Sequence, residues 1–201
     1  MMKQLPLPLK TWGGKRKGAG RPPTGAKAGV SHLKRARFPG RHPVHVTLRT
    51  LPGTGYLRGD RRYRAIVEAL REAKERHGVR VIHYSVQGNH LHLLVEAAGA
   101  ESLARGVQWL SVRLARALNR AARRRGKVFA DRYHAHVLAS RREVARALRY
   151  LLENFRHHLR EDVAPRGADP CSSAAWIEIP LPDDAPVLRP RTWLLRHARD
   201  G

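Results

Sequence analysis

Acidic residues are scarce in this sequence: 16 Asp and Glu stand against 40 Lys and Arg, which gives a formal net charge of +24. Such an imbalance bears on partners and not on fold, and a polyanion is the partner that it favours. The basic residues are spread along the whole chain instead of lying on one amphipathic helix. Nucleic acid is therefore favoured over a membrane surface.

Cysteine and long apolar runs are also in short supply. The single cysteine, Cys171, excludes an intramolecular disulfide and a cysteine-rich zinc site. No apolar run approaches the length of a membrane span, and the N-terminus lacks the apolar core of a signal peptide. We therefore expect a cytoplasmic protein that has no membrane partner and associates with the nucleoid when it is bound to DNA.

Composition divides the chain into three segments. Residues 1–41 are rich in Gly, Pro, Lys and Arg, contain no acidic residue, and predict a flexible basic arm. Within the arm, residues 15–22 (KRKGAGRP) resemble an AT-hook around Arg21, although a solvated tail with general phosphate affinity is the favoured interpretation. Residues 42–160 predict the folded domain. Residues 161–201 predict a proline-rich C-terminal extension whose apolar residues pack back on that domain.

Hydrophobic periodicity in the central segment predicts the element order β-α-β-β-α-β-α. Strands are expected over His42–Thr50, Arg80–Val86, His90–Glu96 and Arg132–Leu138, and helices over Asp60–Arg76, Leu103–Leu118 and Ser140–His158. Ser140 and Glu143 form a capping box that opens the last helix. The order is that of an α+β, ferredoxin-like antiparallel sheet with helices on one face and one extra helix. The other face of the sheet is expected to hold a site.

A histidine pair on the third predicted strand is the first candidate for chemistry. Side chains alternate along a strand, so His90 and His92 share a face, with Cα atoms about 7 Å apart. Both can reach one metal ion, although two ordinary histidines are the commoner explanation of such a pattern. The same spacing recurs at His134 and His136, and the local pattern does not choose between the pairs. Two other strand histidines, His45 and His83, could also approach a site if their strands neighbour it, but core or surface roles are favoured for both.

The last predicted helix carries the second candidate. Tyr150 and Asn154 are four residues apart, so they lie one turn apart on the same face. That face falls at the seam between the buried stripe and solvent, from which a side chain can lean over the sheet edge. Taken alone, a packing tyrosine and a surface amide are the more common interpretation of this pair.

Together these blocks resemble a known family, the single-tyrosine HUH (His-hydrophobic-His) transposases. The family includes small insertion-sequence transposases and REP-associated tyrosine transposases. The resemblance runs from about residue 42 to residue 158 and rests on four blocks in chain order: HVTLRT, GNHLHLLV, VFADRY and LRYLLEN. Several ordered blocks are more specific than any one of them. Phe155 stands where many relatives have Pro, and we expect it to alter packing and not chemistry.

The resemblance also implies a chemistry. Tyr150 would be the nucleophile, and His90, His92 and Asn154 would hold Mg²⁺ or Mn²⁺, with Zn²⁺ left open. The implied enzyme is a DNA transposase that cleaves and rejoins single-stranded or hairpin DNA through a 5′-phosphotyrosine, acting as a monomer or as a homodimer. Arginines would hold the DNA backbone. The candidates for this role are Arg21, Arg113, Arg116, Arg120, Arg146 and Arg149.

Three other functions stay open at this point. A domesticated transposase that binds DNA without cutting it would keep the charge, but it has no need of the two histidines together with Tyr150 and Asn154. A metal-dependent nuclease without a covalent intermediate would need His90 but not Tyr150. A ribosomal or RNA-structural role would explain the charge but not the motif.

Overall fold

The computed structural model describes residues 38–158, 169–177 and 180–198, without the side chains of residues 154–158. The strands in this part of the chain are β1 (Val44–Arg49), β2 (Glu75–Arg76), β3 (Val79–Val86), β4 (His90–Ala97) and β5 (His134–Val137). The helices are α1 (Asp60–Ala73), α2 (Ala100–Ala121), α3 (Arg141–His158) and α4 (Trp193–Arg196), with a 3₁₀ turn over Ser173–Trp176. Apart from residues 38–41, the predicted basic arm lies outside the described residues.

The described strands form an antiparallel sheet in the order β2-β3-β4-β1-β5. Apart from the two-residue β2, this is the strand order of the ferredoxin-like motif, so the predicted fold class is confirmed. The first helix ends at Ala73, and the prediction that it continues to Arg76 is wrong. Arg76 instead pairs with Val79 across a tight hairpin in which His77 and Gly78 both have positive φ. That backbone is typical of a type I′ turn, which a helical periodicity count does not detect.

The two helices of the ferredoxin-like motif lie together on one face of the sheet. Their buried stripes pack on the strand residues that point the same way, which in β1 and β4 are Val44, Val46, Leu48, Leu91, Leu93 and Val95. The extra helix α3 lies on the opposite face, where Val144, Leu148 and Leu151 pack against Ile82 and Leu94. None of the helices in the described ranges is both long and apolar enough to cross a membrane.

The predicted capping box is present at the start of α3. The Glu143 backbone N–H donates to the Ser140 hydroxyl at 3.2 Å, and the Ala139 N–H donates to the Glu143 carboxylate at 2.6 Å. The Ala139 hydrogen bond is the main reason that the pKa of Glu143 lies below its ordinary value. A fixed first turn sets the phase of the helix and, with it, the face on which Tyr150 emerges.

The C-terminal extension packs back on the domain, along the outer edge of β3 beyond the stretch that β2 covers. The Val86 N–H donates to the Cys171 carbonyl at 2.9 Å, and the Leu188 N–H donates to the Val81 carbonyl at 2.9 Å. Unpaired strand edges invite pairing with other chains. The extension therefore satisfies backbone groups of β3 that would otherwise stay open.

Two buried carboxylates hold the extension in place. Asp169 pairs with Arg58 at 2.7 Å, and this side-chain hydrogen bond raises the pKa of the guanidinium. Glu96, at the end of β4, pairs with Arg80 at 2.5 Å and accepts the N–H and hydroxyl of Thr192 at 2.7 and 2.9 Å. Since a buried charge is stable only when it is paired, these contacts fix the course of the extension.

Candidate metal centre and nucleophile

Histidines from neighbouring strands share the face of the sheet that α1 and α2 do not cover. Among them are His45 on β1, His90 and His92 on β4, and His134 and His136 on β5. On β3, His83 lies opposite Leu94 on the same face. The residues that alternate with them pack into the core beneath the helices. In the strand register, Thr47 lies opposite His92 on one side and opposite His134 on the other.

The predicted ligand pair lies close together on β4. The ring centroids of His90 and His92 are 4.7 Å apart and the ring planes are nearly perpendicular, at 89°. His90 Nδ1 lies 2.8 Å from the side-chain oxygen of Asn89. Because an amide oxygen only accepts, this contact favours the tautomer of His90 that has its proton on Nδ1 and its lone pair on Nε2. That nitrogen suits a metal ion.

The second ligand candidate, His92, is only 4% exposed and is held from β1. Its Nδ1 lies 3.0 Å from His45 Nε2 and 3.2 Å from Thr47 Oγ1. Burial, with smaller contributions from the neighbouring His134 and His136, lowers the pKa of His45 to about 4, so His45 is neutral near pH 7. His92 is therefore held by two uncharged groups of the same strand.

Helix α3 places Tyr150 over these histidines. The Tyr150 ring centroid lies 5.1 Å from that of His92, at 80°, and 6.1 Å from that of His45, at 65°. Tyr150 nevertheless keeps 42% of its surface exposed, so the seam position expected for this face of the helix is the observed one. The structure thus brings the predicted nucleophile and the predicted ligand pair together.

The backbone of Asn154 lies on α3 one turn after Tyr150, and its side chain is outside the description. Among the described residues, no group of three His, Cys, Asp or Glu side chains could hold a metal ion. The third ligand that the sequence predicts for an ion at His90 and His92 is of another type. The amide of Asn154 is the predicted one, and two imidazoles with an amide oxygen form a donor set that Mn²⁺ accepts.

The other strand histidines differ in what they contact. His134 and His136 are exposed on β5, on the far side of β1 from the β4 pair. His83 Nδ1 lies 3.1 Å from the Ser173 hydroxyl, so it takes part in attaching the extension. For His45 the expected core or surface role is incomplete, because its ring also touches the candidate site. The alternation of residues 44–49 indicated which face of the sheet His45 lies on. Only the pairing of β1 with β4 shows that His45 contacts His92.

The predicted DNA-binding arginines divide between two surfaces. Arg146 and Arg149 are exposed on α3, the helix of Tyr150. Arg116 and Arg120 are exposed on the outer side of α2, where they line a groove of about 530 Å³ beside α1. The sheet separates this groove from the histidines, and Arg21 lies outside the described residues.

Arg113 is held by the protein itself. Its guanidinium forms an ion pair with Glu72 of α1 and lies 5.4 Å from the ring centroid of Trp109. An adjoining groove at the end of α2 is lined mostly by arginine and includes arginines that were not among the predicted DNA-binding residues. Its lining includes Arg116, Arg120, Arg123, Arg124 and Arg125. The Arg-Arg-Arg run at 123–125 was the sequence feature that could have identified it.

Comparison with known proteins shows that this chain is similar to transposases. A family model described as "Transposase IS200 like" matches residues 41–154, from just before β1 to the predicted ligand Asn154. The solved structure of a REP-associated tyrosine transposase bound to a REP hairpin is similar in fold, with 13% identity and a TM-score of 0.52 over 64% of this chain and 74% of that one. A candidate transposase from Deinococcus radiodurans is 18% identical, with a TM-score of 0.41 over 64% of this chain and 96% of that one. No curated protein matches the sequence.

Proposed function

This chain belongs to the family of IS200-like transposases, and we propose that it cuts and rejoins single-stranded DNA through a covalent bond to Tyr150. The observation that carries the proposal is the packing of the Tyr150 ring against His92, with 5.1 Å between the ring centroids. A phenol that is 42% exposed beside a histidine pair can be reached by a DNA backbone.

In the proposed reaction the phenolic oxygen of Tyr150 attacks the phosphorus of a phosphodiester. The new oxygen–phosphorus bond forms as the bond to the 3′ oxygen breaks. The phenol loses its proton and the 3′ oxygen gains one, which leaves a 5′-phosphotyrosine and a free 3′-hydroxyl. Because the phosphodiester energy is kept in the covalent intermediate, attack by a 3′-hydroxyl rejoins the strand without a nucleotide cofactor.

His90, His92 and Asn154 are the residues proposed to hold a divalent ion, Mg²⁺ or Mn²⁺. Such an ion, when bound, supplies positive charge to the phosphate and orients it for attack. The chain supports this role through the contacts behind the ligands. Asn89 fixes the ring of His90, and β1 fixes the ring of His92.

The basic surfaces fit a nucleic acid that extends beyond the site. Arg146 and Arg149 would hold the backbone beside Tyr150, whereas Arg116 and Arg120 would contact a second stretch on the other side of the sheet. Arg21 would add contacts from the basic arm proposed for residues 1–41. The REP-associated neighbour is bound to a DNA hairpin, which supports single-stranded or hairpin DNA as the partner.

The test is a denaturing gel of the protein incubated with labelled single-stranded DNA and Mn²⁺. Hairpins from the DNA that flanks the gene are the substrates of choice. The wild type is expected to give a protein–DNA band that Tyr150→Phe lacks and that Tyr56→Phe, which alters another exposed tyrosine, retains. Binding without a covalent band in the wild type would instead identify a domesticated binder. Cleavage that survives in Tyr150→Phe would identify a nuclease without a covalent intermediate.

A further inference from the structure

We propose that His45 is a positioning residue of this centre, which fixes the ring of His92 in the tautomer that offers Nε2 to a metal ion. The inference rests on the proposed function in taking His92 as a ligand. It concerns a residue of β1 for which the sequence favoured a core or surface role. The contact that carries it joins His45 Nε2 and His92 Nδ1, 3.0 Å apart.

Only one proton can lie between these two nitrogens, so two arrangements compete. If His45 donates, Nδ1 of His92 has the lone pair, and Nε2 of a neutral His92 carries the proton and cannot bind a metal ion. If His92 donates, its lone pair is on Nε2. The identity of the donor therefore decides whether His92 can serve as a ligand.

Thr47 favours donation by His92. Its hydroxyl oxygen lies 3.2 Å from the same Nδ1, so this nitrogen has two partners on β1. An imidazole nitrogen has a single lone pair and is poorly placed to accept from two donors, whereas one N–H shared between two acceptors is a common arrangement. His45 and Thr47 are i and i+2 on one strand, which puts both on the face of His92.

The same reasoning applies independently to the other ligand. His90 Nδ1 is protonated because Asn89 offers it an acceptor, which leaves Nε2 with the lone pair. Both histidines of β4 would then present the same nitrogen. His45 also packs edge-on against Tyr150, with 6.1 Å between the ring centroids, so one side chain supports the ligand and the nucleophile together.

Variants at position 45 separate this role from simple packing. His45→Gln places an amide oxygen near the former Nε2 and keeps an acceptor, whereas His45→Leu keeps bulk and removes the acceptor. Thr47→Val removes the second acceptor with little change in shape. The matched control is His136→Gln, because His136 lies opposite His45 in the strand register and is exposed.

The first readout is Mn²⁺ affinity, measured by calorimetry on the full chain without DNA. His45→Leu is expected to bind Mn²⁺ about 10- to 100-fold more weakly than the wild type, the usual effect of losing a partner behind a ligand. His45→Gln and His136→Gln should stay within about threefold of the wild type, and Thr47→Val should lie between these and His45→Leu. Wild-type affinity in a folded His45→Leu, or no Mn²⁺ binding by the wild type, would overturn the proposal.

The second readout needs no variant. Nitrogen-15 NMR of the imidazoles in the metal-free wild type distinguishes a protonated ring nitrogen from one with a lone pair. His92 is expected to be protonated at Nδ1, and protonation at Nε2 would refute the inference even if Tyr150 forms a covalent adduct. Conversely, a correct tautomer in a protein that forms no adduct would count against the proposed function alone.

Discussion

The ring of Tyr150 meets the ring of His92 edge-on, with 5.1 Å between centroids and 80° between planes. The contact joins helix α3 to strand β4, and the two residues lie 58 positions apart in the sequence. It places a hydroxyl-bearing ring beside the candidate metal ligands without burying it. The position of the candidate nucleophile therefore depends on how α3 packs on the sheet.

The Tyr150→Phe variant should lose covalent adduct formation and keep the fold. The ring contacts are kept, and loss of an exposed hydroxyl typically changes the free energy of unfolding by less than about 0.5 kcal/mol. We expect the covalent band to disappear while the affinity for single-stranded DNA, measured by fluorescence anisotropy, stays within about twofold. A parallel loss of DNA affinity would show that Tyr150 acts in binding.

The two histidine pairs should respond differently to substitution. His90→Ala is expected to abolish Mn²⁺-dependent adduct formation, and His134→Ala is expected to retain it, although both residues lie on the same sheet face. Chelation of metal should stop the wild-type reaction and added Mn²⁺ should restore it. If His134→Ala were the inactive variant, the ligand assignment would move to β5.

The arginines of α2 should differ in their contribution to salt-dependent binding. Each phosphate contact to a single strand adds about 0.7 to the slope of log K against log salt concentration. Arg116→Gln is therefore expected to lower the slope by about 0.7. Arg113→Gln should lower it by less, because Arg113 already pairs with Glu72. Equal effects of the two variants would contradict the claim that the ion pair with Glu72 makes Arg113 less available to DNA than Arg116.

Breaking the ion pair between Arg58 and Asp169 of the C-terminal extension should be strongly destabilising. The side chain of Asp169 is fully buried and that of Arg58 is 12% exposed. Asp169→Asn leaves the guanidinium without its counter-charge, and the expected loss is about 3–5 kcal/mol in urea unfolding. The double variant Arg58→Met/Asp169→Asn should lose less than the two single losses added together. Strict additivity would mean that the pair is not coupled.

Much of the fold follows from local pattern. Alternation identified β1, β3, β4 and β5, and the capping box at Ser140 and Glu143 located the start of α3 to within a residue or two. These features depend on neighbours in sequence, so periodicity and capping chemistry reveal them. The position of Tyr150 at the edge of a buried stripe follows from the same kind of count.

The remaining features depend on contacts between distant segments. The role of His45 appears only when the register of β1 and β4 brings it to His92, and no periodicity contains that register. In the sequence, Glu96 is a charged residue at the end of a predicted strand. Its contacts with Arg80 and Thr192 arise only from the tertiary structure. The β2 hairpin was missed because its two-residue turn lies shortly after the last apolar residues with helical spacing.

The way in which the extension closes β3 also has a kinetic consequence. Arg58 and Asp169, which clamp its beginning, are 111 positions apart in the chain. Contacts between such distant segments carry a large entropic cost of loop closure and tend to form late in folding. Until they form, the outer edge of β3 is open to pairing with other molecules. We therefore expect refolding to be a competition between an intramolecular closure, whose rate is independent of protein concentration, and an intermolecular association, whose rate rises with concentration.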